Sequence, residues 1–112
     1  MILTSKLLDK LMNSDYIKQV YPMIDKIKTK VVWDGDERYP FYDVMLKIYV
    51  NDEDMTAFNM FKKGLDPYYL VDYHMMDLLK FVDVSKRDIT QVYIRVIGPN
   101  GESIYGEVGI VK

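Results

Sequence analysis

Reactive side chains are scarce in this chain. Its 112 residues include no cysteine, one histidine and one alanine. Disulfides, thiol nucleophiles and cysteine-ligated zinc are therefore excluded. The N-terminus lacks the pattern of a secretory signal peptide, and no apolar run approaches the roughly 20 residues of a membrane span. We expect a soluble protein with no membrane contact, located in the cytoplasm, or in the host cytoplasm or virion if its source is a phage.

Charge of neither sign dominates. The 15 Lys and Arg residues and the 17 Asp and Glu residues leave a net charge of -2. This balance argues against a protein whose whole surface is built to bind phosphate backbones, although it leaves room for a local basic patch. Lysine greatly outnumbers arginine, and Ala57 is the single alanine. We interpret this skew as that of an AT-rich genome, such as many phages and low-GC bacteria have.

Tyrosine and methionine are abundant, with 10 and 8 residues respectively. Tyrosine buries a large ring at little entropic cost and keeps a hydroxyl group, while methionine adapts to irregular neighbours, so both serve interfaces as well as cores. Together with the shortage of catalytic groups, this excess favours binding over catalysis. We predict a non-enzymatic protein-interaction or assembly protein, with a phage or viral accessory protein or virion component as its setting.

The length supports one hydrophobic core, so we expect a single α+β domain over residues 1–112. Residues 1–28 should be helical. Residues 29–112 should form a β-hairpin, two helices and a second β-hairpin. The two hairpins are predicted to join in one four-stranded, mainly antiparallel sheet with the helices packed on one face.

Cap residues mark the predicted starts of the N-terminal helices. Thr4 or Ser5 should begin the first helix and Ser14 the second. The apolar spacing continues the second helix to Ile27, with a kink or a restart at Pro22.

Two further helices are predicted in the middle of the chain. The first should cover residues 53–63. Its apolar residues have helical spacing, acidic residues lie at its start, and lysines lie at its end. That stripe consists of Met55, Phe58, Phe61 and Leu65. The second should begin at Asp66-Pro67, a cap residue followed by proline, and run to about Val82.

Strands are predicted where apolar and polar residues alternate. Residues 31–33 should form a short strand that turns at Asp34-Gly35 into a longer one over residues 41–50. Residues 89–97 alternate again, and a glycine-rich turn leads into a last strand over about residues 102–111.

Two surfaces carry tyrosines that core packing explains least, and we predict that they bind a protein partner or a second copy of the chain. One lies on the helix that starts at Asp66 and holds Tyr68, Tyr69 and Tyr73. The other is the sheet face opposite the helices, with Met45, Tyr49, Tyr93 and Tyr105. The edge of the last strand, near residues 103–111, is a further candidate for docking.

The alternative hypothesis is a small nucleic-acid-binding regulator. Its binding residues would be Lys26, Lys28, Lys30, Lys86 and Arg87, aided by Tyr93 and Arg95 on an exposed sheet face. The overall acidic balance and the ordinary preference of lysine for helix ends make nucleic acid the less favoured partner.

Catalysis and metal binding have weaker support. His74 could act as a general base, but Asp72 and Asp77 are its only acidic neighbours in sequence and no nucleophile accompanies it. Acids in the first hairpin turn and before the third helix could collect Mg²⁺ or Ca²⁺, but they lack the full calcium-loop pattern. They are Asp34, Asp36, Glu37, Asp52, Glu53 and Asp54. We expect no metal, no cofactor and no catalytic residue.

Overall fold

The computed structural model describes residues 3–33, 35 and 41–110. Its helices are α1 (Ser5–Met12), α2 (Asp15–Val20), α3 (Pro67–Tyr69) and α4 (Met76–Leu79). Its strands are β1 (Ile24–Trp33), β2 (Tyr42–Val50), β3 (Ile89–Ile97) and β4 (Ser103–Ile110). A π-helix (Leu70–Met75) joins α3 to α4, a 3-10 helix (Lys80–Val82) follows α4, and another (Lys86–Asp88) precedes β3. The predicted α+β class is confirmed.

The four strands form one open sheet in the order β1-β2-β3-β4. The pairs β1-β2 and β3-β4 are antiparallel hairpins, whereas β2 and β3 are parallel. A parallel pair needs a long crossover connection, which the segment between β2 and β3 provides with its turns and helices. Because two of the three strand pairs are antiparallel, the predicted four-stranded, mainly antiparallel sheet is confirmed.

One face of the sheet forms the hydrophobic core with the helices. From β2 and β3 it buries Val44, Leu46, Ile48, Val50, Val92, Ile94 and Val96. From the helices it buries Leu8, Met12, Ile17, Leu70, Met75 and Leu79. Among the residues described, no helix is long and apolar enough to span a membrane.

Helix α1 covers the outer edge of β1 with hydrogen bonds from its side chains. The amides of Ile27, Thr29 and Val31 donate to Asn13 Oδ1 (2.9 Å), Asp9 Oδ1 (2.6 Å) and Ser5 Oγ (2.8 Å), respectively. The spacing of these side chains along α1 matches the spacing of the amides along β1, because four residues advance a helix by about 6 Å and two residues advance a strand by about 6.6 Å. In the part of the chain that the structure describes, no side chain bonds to the outer backbone of β4. One sheet edge is closed and the other is open.

The predicted helix through Ile27 is wrong, and so is the boundary of the helical part at residue 28. Helix α2 ends at Val20, and β1 begins at Ile24 and extends the predicted short strand toward the N-terminus. Pro22 cannot donate the amide that a continuing helix needs. From Ile27 onward, β-branched residues alternate with lysines, which suits a strand with one buried face.

The predicted helix over residues 53–63 is a series of turns. Side chains form hydrogen bonds with backbone amides and carbonyls that would bond to each other in a helix. Asp52 Oδ1 accepts from the Asp54 amide (2.9 Å), and Asn59 both accepts from the Thr56 amide (2.6 Å) and donates to the Asp54 carbonyl (2.9 Å). Such bonds between side chains and nearby backbone compete with helix formation.

The predicted apolar stripe of that segment is therefore half wrong. Met55 and Leu65 are buried, but Phe58 is 97% exposed and Phe61 is also exposed. Met60 is buried in the core instead. The turns direct its side chain inward, whereas a helix would place it off the apolar stripe.

The predicted helix starts are confirmed. Thr4 Oγ1 accepts from the Leu7 amide (3.1 Å), and Ser14 caps α2. Asp66 Oδ1 accepts from the amides of Tyr68 (3.0 Å) and Tyr69 (3.2 Å) at the start of α3. Helical structure then continues to Val82, as predicted.

Candidate functional site

A row of positive charges crosses the sheet on the face opposite the helices. Residues directly opposite each other on paired strands share a face. Lys28 of β1 is opposite Lys47 of β2, and Lys47 is opposite Arg95 of β3. Arg95 is in turn opposite Gly106 of β4. We call Lys28, Lys47 and Arg95 the cationic row.

The neighbouring rows add further cations together with apolar and aromatic groups. One row contains Lys26, Tyr49 and Ile97, and the other contains Lys30, Met45, Tyr93 and Val108. These residues and the cationic row make up what we call the uncovered face. Its lysines and Arg95 are exposed, as are Met45 and Val108. Five cations thus share this face, although the chain has a net charge of -2.

Within the described part of the chain, no ion pair balances the positive charge of the uncovered face. Among the described residues the salt bridges are Lys63–Asp52 and Lys80–Asp77, and neither involves this face. The register places one carboxylate, Asp43, near its end. Like charges directly opposite on neighbouring strands destabilise a sheet. The isolated protein therefore carries an unfavourable charge row that an anion would relieve.

Tyr49 supports two of the lysines. Lys26 Nζ lies 5.0 Å from the centre of the Tyr49 ring, and Lys28 Nζ lies 5.8 Å from it. Both distances fit a cation–π interaction. The ring therefore contacts one member of the cationic row, Lys28, and the neighbouring Lys26.

A depression of about 530 Å³ lies where the cationic row meets β4. Gly106 contributes no side chain there, and Met45, Tyr93 and Val108 form apolar walls beside Lys47 and Arg95. A Cβ atom added at Gly106 would meet nothing nearer than the Ile94 carbonyl oxygen, at 4.0 Å. The depression can thus be filled by substitution without a backbone clash.

The structure places most of the sheet residues predicted for docking on this face. Met45, Tyr49 and Tyr93 lie on it, but Tyr105 does not. Tyr105 is opposite the buried Val96 and packs against the core. A register shift between Val96 and Ile97 changes which β4 residues face outward, and the alternation in the sequence does not reveal such a shift.

The lysines of the nucleic-acid hypothesis divide into two groups. Lys26, Lys28 and Lys30 lie on the uncovered face. Lys86 and Arg87 precede β3, at the opposite end of the strands from Lys26. The structure therefore does not bring those two residues together with the β1 lysines, and whether any of the five binds nucleic acid stays a prediction. Lys47 also lies on this face but was not among the predicted residues, although the alternation of β2 places it outward.

The helical tyrosines belong to an aromatic cluster. Tyr68, Tyr69 and Tyr73 are about half exposed. The rings of Tyr69 and Tyr73 stack with their centres 4.9 Å apart and their planes 7° from parallel. Each also presents its ring to His74, so the two rings cover a buried residue as well as facing solvent.

His74 is the centre of this cluster and is 5% exposed. Four tyrosine rings surround it at centre-to-centre distances of 5.1 to 5.5 Å, namely those of Tyr16, Tyr21, Tyr69 and Tyr73. The Tyr16 hydroxyl is hydrogen bonded to Nδ1 at 2.9 Å. Burial lowers the pKa of His74, and Asp77 opposes this weakly. No carboxylate among the described residues is hydrogen bonded to the ring, so its contacts are those of a packed neutral histidine.

Burial also acts on the Tyr21 hydroxyl of this cluster. Desolvation, with a smaller contribution from Asp66, raises the pKa of Tyr21 to about 12. The raised pKa keeps the Tyr21 hydroxyl uncharged at neutral pH, which suits packing and not proton transfer.

The acidic residues considered for a metal show no assembled site. Asp34, Asp36 and Glu37 lie outside the described residues. Asp52 is paired with Lys63 Nζ at 2.8 Å, and the hydrogen bond from Lys63 lowers the pKa of Asp52. In the described ranges, no three acidic or histidine side chains come close enough to hold a metal ion.

Comparison with known proteins supplies no family: no family model, no curated protein and no solved structure matches this chain. The function must therefore be argued from the chemistry of its surfaces. Within the described ranges, the uncovered face combines a row of unpaired cations with exposed apolar groups and an open depression.

Proposed function

We propose that this protein is a non-enzymatic interaction protein that binds a negatively charged partner on the uncovered face. The observation that carries this proposal is the cationic row, in which Lys47 lies between Lys28 and Arg95 with no ion pair among the described residues. Acidic residues outnumber basic residues in this chain, yet no carboxylate in the described strands is directly opposite a member of this row. Its arrangement suits an anion from outside the chain.

The aromatic and apolar side chains of the same face support binding over simple solvation. Tyr49, Tyr93 and Met45 are residue types enriched at interface centres. They lie directly beside the charges, so a partner would gain apolar contact and charge neutralisation together. The compositional skew toward lysine fits a phage or viral protein acting in the host cytoplasm as the setting of this activity.

Binding of heparin, a generic polyanion, tests the proposal. A protein with a net charge of -2 is retained on a heparin column at neutral pH only if its positive charges are concentrated on one part of its surface. We expect the wild type to be retained and to elute at increased salt. The double variant Lys47→Gln/Arg95→Gln should elute at clearly lower salt, because it loses two of the five cations on the face.

Lys62→Gln is the matched control for this experiment. Lys62 is exposed in the turn segment between β2 and α3, outside the strands that form the uncovered face, so its substitution removes one positive charge and leaves all five cations of that face in place. It should elute with the wild type. Equal elution of the double variant and the wild type, or no retention of either, would contradict the proposal.

The open edge of β4 supports a second mode of interaction, the addition of a strand from a partner or from a second copy. The observation in its favour is that α1 closes the β1 edge while no described side chain closes the β4 edge. Exposed edges pair readily with other strands. Light scattering over a range of concentrations tests self-pairing, and a constant monomer mass would rule it out.

A further inference from the structure

We propose that the partner of the uncovered face is single-stranded nucleic acid, with phosphates on the cationic row and a base in the depression beside Tyr93. This inference rests on the proposed function and names the ligand of the same site. It differs from the lysine set considered from the sequence, because Lys47 and Arg95 supply the central charges while Lys86 and Arg87 take no part.

The charges are spaced for a chain of anions. Neighbouring strands lie about 4.8 Å apart, so the cationic row spans about 10 Å from Lys28 to Arg95. Lys26 and Lys30 lie two residues to either side of Lys28, about 6.7 Å along β1. Several consecutive phosphates of one strand can therefore be neutralised at once. A lone small anion would leave most of these cations unpaired.

The apolar side chains of the uncovered face lie where they can contact the bases of a bound strand. Met45, Tyr93 and Val108 form the row next to the cationic row and wall the depression at Gly106. A nucleotide presents a charged phosphate and a flat ring within a few ångströms of each other, as this pair of rows does. Stacking of a base on an aromatic side chain contributes about 1–3 kcal/mol.

Two other polyanions fit less well. A duplex hides the faces of its bases inside its own stack, so the depression and the Tyr93 ring would have no ligand. An acidic peptide has carboxylates but no ring on each repeating unit, so it would use the cationic row and leave the apolar row exposed. The combination of both rows selects the single strand.

Fluorescence anisotropy with labelled oligo-dT and oligo-U of about 12 nucleotides tests the inference, since this length covers the usual site size. Unlabelled duplex DNA and polyglutamate serve as competitors. We expect both single strands to bind, and expect duplex and polyglutamate to compete at least ten-fold less well. The logarithm of the binding constant should fall with the logarithm of salt concentration, by about 0.7 for each phosphate neutralised.

Two kinds of variant separate charge from stacking. Lys47→Gln should weaken binding and reduce the salt dependence by about 0.7, because one phosphate contact is lost. Tyr93→Leu should weaken binding about 5-fold to 150-fold and leave the salt dependence unchanged, because only stacking is lost. Lys62→Gln should match the wild type in both respects.

Gly106→Leu provides an independent test of the depression. The added side chain fills the space beside Tyr93 without meeting the backbone, so it should weaken oligonucleotide binding while heparin retention stays unchanged. This variant also decides the question if Tyr93→Leu does not fold, which circular dichroism would show.

The outcomes distinguish this inference from the proposed function. If heparin binding depends on Lys47 and Arg95 but polyglutamate or duplex competes as well as the single strand, the proposed function stands and the nucleic-acid inference is wrong. The inference is also wrong if neither Tyr93→Leu nor Gly106→Leu weakens oligonucleotide binding. If the double variant binds heparin as the wild type does, both proposals are wrong.

Discussion

Replacing Lys47 with glutamine should make the isolated protein more stable, although it removes a cation that we propose binds the partner. Lys47 lies between two like charges, those of Lys28 and Arg95. If the charged ends spread to about 8 Å in water, each pair costs about 0.5 kcal/mol before screening. At about 0.01 M salt, where the Debye length is about 30 Å, the two pairs together cost about 0.8 kcal/mol. At about 1 M salt the cost falls below about 0.1 kcal/mol.

Urea unfolding of the wild type and Lys47→Gln at low and high salt measures this difference. The variant should gain about 0.8 kcal/mol in the free energy of unfolding at about 0.01 M salt and almost nothing at about 1 M. Lys62→Gln controls for the loss of one lysine and should show no comparable salt-dependent gain. If Lys47→Gln is neutral or destabilising at low salt, or if its gain persists at high salt, the argument that the cationic row is strained is refuted.

Three further predictions concern the fold. Asp9→Ala should lower the free energy of unfolding by about 2 kcal/mol, because Asp9 Oδ1 accepts from both the amide and the hydroxyl of Thr29 at 2.6 Å; the exposed Asp72→Ala should change it by less than about 0.5 kcal/mol, and equal effects in urea unfolding would contradict the edge contact. Thermal stability should fall as the pH drops below about 6.5, because the unfolded chain takes up a proton on His74 before the folded protein does; His74→Gln should lose this dependence, and an unchanged pH profile would show that another group causes it. Met60→Ala should cost about 2–5 kcal/mol and Phe58→Ala less than about 0.5 kcal/mol, since one is buried and the other exposed; the reverse order would mean that this segment is packed differently.

Local signals in the sequence predicted those elements whose structure local chemistry decides. Thr4, Ser14 and Asp66 cap helices where their side chains accept the first free amides. Alternation identified β2 and β3 because each has one buried face.

Elements with ambiguous local signals were predicted incorrectly. Ile24 and Ile27 are three residues apart, which suits one face of a helix but not one face of a regular strand. Both are buried in β1 because the register shifts between Ile24 and Lys26, and no local pattern announces such a shift. Asn59 lies inside the segment predicted as a helix over residues 53–63, but its side chain binds two backbone groups and stabilises turns.

The candidate site could be predicted only in part. Alternation placed Tyr49 and Tyr93 outward, and the structure has both on the uncovered face. The cationic row depends on the register of three strands and on β3 lying beside β2 in parallel. Neither is visible in a single sequence, because nothing local in Lys28 or Arg95 specifies which residue lies opposite.

The closed edge of β1 limits how far this protein can assemble through its sheet. Two copies joined along β4 would form a continuous sheet bounded on both sides by α1, whose side chains already occupy the amides of Ile27, Thr29 and Val31. A symmetric pair of this kind has no remaining edge for a third copy. Assembly by strand pairing would therefore stop at a dimer, whereas a third copy could add to the β1 edge only if all three of these contacts were lost.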